Sequence, residues 1–170
     1  ERINVELSLR NKLQLVQQLS AFFAQGNLPL GRDDESGAIT SAELLEDRVQ
    51  QALALLRDVQ ALWQGWLDHL DQPPPTLKGL PAAEAGRTVF ALLQDGTWRA
   101  SWKTQLLKPL QALFSGAAFV PVVERCKALH QQVLRGRVWV ALHMHAGDGN
   151  VHTNIPVNSD NYEMLQTAHE

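Results

Sequence analysis

Residues 3 to 25 place Ile3, Leu7, Leu13, Val16, Leu19, Phe22 and Phe23 at mostly helical spacing. Gly26, Asn27 and Pro29 close that run. The alternation of Ile3, Val5, Leu7 and Leu9 leaves a short strand as the alternative at its start. Residues 31 to 38 are a polar loop. Thr40-Ser41-Ala42-Glu43 is a capping-box pattern at the mouth of a helix predicted to run to about Leu70. Along it Leu45, Val49, Ala52, Leu56, Val59, Trp63, Trp66 and Leu70 recur at alternating steps of four and three, which is one helix face. Leu44, Leu55 and Leu62 widen the stripe. A stripe that wide needs a partner, and the helix from Ile3 is the obvious one, so a helical hairpin is expected. Trp63 and Trp66 share the face, either as core or as a docking surface.

Pro73-Pro74-Pro75 ends the long helix and stiffens the connection after it. Residues 71 to 82 are the best internal boundary, as a plain loop or as a linker. Ala82 to Leu93 is predicted as a short helix closed by Asp95-Gly96. Trp98 to Leu113 is predicted helical, with Pro109 a problem inside it because proline has no N–H for the helix ladder. Ser115-Gly116 breaks that run. A further helix runs from Val120 to about Leu134, with Pro121 well placed in its first turn, and Arg135-Gly136 ends it. Arg137 to Leu142 and Val151 to Val157 read as strands. Asn161 to His169 looks like the start of another helix. The expected fold is α+β and predominantly helical: a long helical hairpin region over 1–72, a helical connector over 73–117, then, over 118–170, a small antiparallel sheet with helices packed on one face.

Composition narrows the function classes. The 170 residues suffice for one domain with a real core, and the apolar share of 45% is that of a globular protein. The net charge of −3, with no Lys/Arg run, argues against nucleic acid as a partner. The single cysteine, Cys126, has no internal disulfide partner, which fits a reducing compartment; a buried helical position is expected for it. No apolar run approaches the roughly 20 residues of a transmembrane helix, and no signal peptide opens the chain. The chain starts at Glu1 without a Met and stops inside an apparent helix, so a fragment of a longer protein is expected.

Candidate chemistry concentrates between Leu142 and Asn154, a stretch holding three of the six histidines around a glycine turn. Side chains two apart on a strand share a face, so His143 and His145 pair before the turn, and His152 and Asn154 after it. If the strands pair, these groups converge on one patch. Two imidazoles joined by one turn are two legs of a metal site, for which a catalytic ion usually needs three. Structural histidines flanking a turn are the alternative. Gly147-Asp148-Gly149 is either a tight hairpin turn or a loop that lets a flat ring lie on the main chain. The Walker pattern and the later ligands of an EF-hand are absent.

His145-Ala146-Gly147-Asp148-Gly149-Asn150-Val151-His152 resembles the signature of the C-terminal cap domain of FAD-linked oxidases of the vanillyl-alcohol-oxidase-like class, which includes D-lactate, glycolate and D-2-hydroxyglutarate dehydrogenases. The likeness covers roughly residues 118 to 170, a partial cap domain. The helical part before it resembles the extra region of large bacterial members. The resemblance implies that His145 and His152 hold a divalent metal such as zinc or manganese. It implies a catalytic place for His152 and for Asn154, beside the substrate, and a loop of Gly147, Asp148, Gly149 and Asn150 close to the flavin. His143 carries no role from it. The implied parent is an FAD-dependent dehydrogenase of a small D-2-hydroxy acid, with FAD-binding and iron–sulfur domains in the same chain. Its implied place is cytoplasmic, or peripheral at the inner membrane. The third metal ligand, a Glu before a His-Gly motif, has no match here, so the fragment alone is expected to be inactive. The alternative is a helical docking module of a multidomain flavoprotein with no activity of its own.

Overall fold

A computed structural model describes residues 1–31, 42–74, 86–145 and 150–157, together with Gln166 and Ala168. Ala42, Glu43 and the strand residues 142–145 and 150–152 are described through their backbone. Helix α1 covers Arg2–Ala24 and helix α2 covers Ala42–Asp68. Both are long enough for the expected hairpin, and they pack along each other more extensively than any other two elements. The α2 stripe faces inward as its spacing dictates. Ala52, Leu56, Val59, Trp63, Trp66 and Leu70 are buried, with Leu45 and Val49 half-buried at the rim. They meet Leu9, Leu13, Val16, Leu19 and Phe23 of α1. Trp63 and Trp66 are therefore core. The Trp63 indole N–H also finds a partner, Oε1 of Gln105 at 3.3 Å. Leu44 lies outside the stripe and is exposed. The start of α1 is helix, not strand: the alternation of Ile3 to Leu9 is overruled by the longer 3.6-residue period that docks α1 on α2.

Thr40 and Ser41 of the capping pattern and residues 32–38 of the loop lie outside the described residues, as do residues 75–82 of the proposed boundary. Past them the short helix α3, Val89–Gln94, begins later than residue 82. Thr88 starts it, its hydroxyl oxygen accepting the Ala91 N–H at 3.2 Å, while residues 86–88 are not helical. The run expected over Trp98–Leu113 is also different. Ser101 caps a π-turn, Trp102–Leu107, which passes into α4, Lys108–Leu113. Pro109 thereby stands in the first turn of α4, where its missing N–H costs no ladder bond. Gly116, at φ +108, breaks the chain before a short 3-10 turn, Ala117–Phe119. Helix α5 then runs Val120–Arg135 with Pro121 in its first turn and buries Val122, Cys126, Leu129 and Val133 against α1. One hydrophobic core unites α1, α2, α3, the π-turn, α4 and α5.

The expected small antiparallel sheet with helices on one face does not form. The described chain is mostly helix, and its strands are a lone two-stranded ribbon, β1 (Ala141–His145) against β2 (Asn150–Asn154). Two reasons are physical. The helices satisfy their apolar faces on one another, leaving no apolar layer for a sheet to cover. The segment 137–140, expected as the first half of a strand, has its last peptide group taken by a side chain of α1 instead. The ribbon pairs within itself and has no comparable contact with any helix among the described residues. The second strand likewise stops at Asn154 instead of Val157. The helix expected from Asn161 lies almost wholly outside the described residues.

Candidate functional site

The ribbon's register places Ala141 opposite Asn154, His143 opposite His152, and His145 opposite Asn150. Directly opposed residues in an antiparallel pair lie on the same face, and so do residues two apart. One face therefore carries positions His143, His145, Asn150, His152 and Asn154. The other carries Leu142, Met144, Val151 and Thr153. The strand pairing that the sequence made a condition is met, and the histidine positions are brought together by it. Opposed positions have Cβ atoms about 4.5–5.5 Å apart, and diagonal ones about 7–8 Å. His143 is thus the direct neighbour of His152, while His145 is its diagonal neighbour. A one-residue slip would scatter the set over both faces, so the register is what makes a site here.

The turn residues Gly147, Asp148 and Gly149 lie outside the described residues, and nothing structural bears on their expected place beside a flavin. Asn150 opens β2, opposite His145. Asn154 is exposed at the ribbon's far end. Among the described residues no group of three His, Cys, Asp or Glu is placed to hold a metal ion.

No family model matches the chain, and no curated protein or solved structure matches it. No described helix is long and apolar enough to cross a membrane.

What the sequence did not flag is how the ribbon is held. Asn4, in the first turn of α1, grips the residue that precedes β1. Its Nδ2 donates to the Val140 carbonyl at 3.0 Å, and its Oδ1 accepts the Val140 N–H at 3.0 Å. A primary amide presents the same donor and acceptor spacing as a peptide group, so Asn4 acts as a one-residue strand partner. Buried Val138 adds an apolar anchor just before it. The ribbon base also exposes apolar surface: Trp139 is 46% exposed, and Ile155 and Val157 are 38% exposed. The only sequence signal for the Asn4 grip is a polar residue between Ile3 and Val5 in a run that otherwise alternates.

Proposed function

We propose that this chain is a partial cap domain of an FAD-dependent dehydrogenase of small D-2-hydroxy acids, with the histidine face of the ribbon as its contribution to the active site. The observation that carries this reading is the register that puts His143, His145, His152 and Asn154 on one face. Neutral imidazole suits zinc, so the donor chemistry fits a divalent metal of that kind with two or three legs from this ribbon; manganese would need oxygen donors besides. His145 and His152 are the legs the signature implies, and FAD is held by a domain outside this chain. Bound there, a metal would supply Lewis acidity toward a substrate hydroxyl, and a flavin would supply the two-electron acceptor. The chain's own part is to orient: two imidazoles fixed by paired strands, and Asn154 two positions from His152 to hydrogen-bond a polar substrate group. The exposed Trp139, Ile155 and Val157 beside them suit a ribbon that docks on the flavin domain of the same parent chain.

Calorimetric titration of zinc and of manganese into the chain and into its His145→Ala/His152→Ala variant tests this. The wild type is expected to bind with one-to-one stoichiometry, and the variant at least 100-fold more weakly. Equal binding by the two proteins removes the metal reading and, with it, the support for the dehydrogenase.

A further inference from the structure

We propose that the cavity between α1, α2, the π-turn and α5 binds the carboxylate of a short-chain organic acid. The cavity encloses about 60 Å³. At about 30 Å³ per water in the liquid that is room for roughly two water-sized groups, the scale of a carboxylate head. Its lining is mostly apolar, from residues such as Leu15, Trp63 and Trp102, and Lys12, His130 and Arg137 bring positive or protonatable groups to it. None of the residues lining it is acidic.

Among the described residues no ion pair to Lys12 is present. The Lys12 ammonium donates to the Ser8 hydroxyl at 2.8 Å, a neutral partner. No ion pair to Arg137 is present among the described residues. His130 lies flat against Trp102, ring centroids 4.5 Å apart, which fixes its ring at the cavity edge. The groups oppose one another as like charges must. Burial, and then Arg137, pull the Lys12 pKa below its ordinary value; burial, and then Lys12, do the same to His130. An anion in the cavity would relieve both. The apolar lining selects among anions. A phosphate needs polar partners all round, while a carboxylate on a short hydrocarbon needs them at one end only. The histidine ribbon takes no part in this site, which stands independently of the dehydrogenase reading.

Propionate titrated into the 170-residue chain at constant ionic strength provides the test, with indole N–H resonances as the readout. Saturable shifts are expected at Trp63 and Trp102, with Trp139 still. Chloride and inorganic phosphate should not reproduce them. Lys12→Met and Arg137→Gln should each weaken binding at least tenfold, and His145→Ala/His152→Ala should bind as the wild type does. Arg137 is exposed, so its variant reports even if Lys12→Met fails to fold. Shifts that rise linearly with propionate, equal shifts with phosphate or chloride, or unchanged affinity in Arg137→Gln would overturn the proposal.

Discussion

At the scale of single residues, burial decides chemistry. Cys126 is 1% exposed on α5, and burial pushes its thiol up to about 12. The thiolate is the reactive form, so at pH 8 Ellman's reagent should leave Cys126 untouched in the folded chain and react fully once urea unfolds it. Rapid labelling of the native protein would contradict its place in the core. That position was legible from the sequence, as a lone cysteine on an apolar helix face. The roles of Lys12 and His130 were not, because each is an unremarkable polar residue until folding brings α1 and α5 together around one cavity. Asp95 was legible only as a turn residue. In the fold its carboxylate accepts from Thr97 and pairs with Arg87, which hold its pKa down to about 2.

At the scale of elements, local period predicted what packing then used. The α2 stripe from Leu45 to Trp66 and the proline-led start of α5 come directly from spacing and capping chemistry. The π-turn before Pro109 did not, because a proline reports only that a ladder bond is missing and not how the chain avoids the loss. The ribbon was half legible. Its histidines and turn identified it, but its strands begin four residues later than Arg137 because Asn4, 136 positions away in sequence, takes the peptide of Val140. No local pattern carries such a contact. Asn4→Ala should therefore loosen the ribbon and spare the helices. Amide exchange at Val140 and along β1 is expected to rise at least tenfold, with the far-ultraviolet helix signal unchanged and a loss of roughly 1 kcal/mol per hydrogen bond removed. Unchanged exchange at Val140 would show that the ribbon is held by something else. A lone two-stranded ribbon is marginal in water, which is why one side chain matters so much to it.

At the scale of the whole molecule, a helical body with one continuous core presents a small ribbon at its edge. The expected sheet failed at this scale, since strand propensity around Val138 to Leu142 says nothing of whether helices leave an apolar layer to cover. Net charge and pH act here too. His130 has its pKa lowered by folding, so between that value and its ordinary 6.5 the unfolded chain binds more protons than the folded one. Stability at pH 7.5 should thus exceed stability at pH 5.5, and His130→Gln should flatten that slope in urea titrations. A slope unchanged by the substitution would show that His130 does not set it. The central claim remains the histidine face of the ribbon, and its most direct measurement is imidazole nitrogen spectroscopy of the six histidines during a zinc titration. The resonances of His145 and His152 are predicted to move first and saturate together, joined by their neighbour His143, while those of His69 and His130 stay in place. Equal, unsaturated movement of all six, or none at His145 and His152, would contradict it.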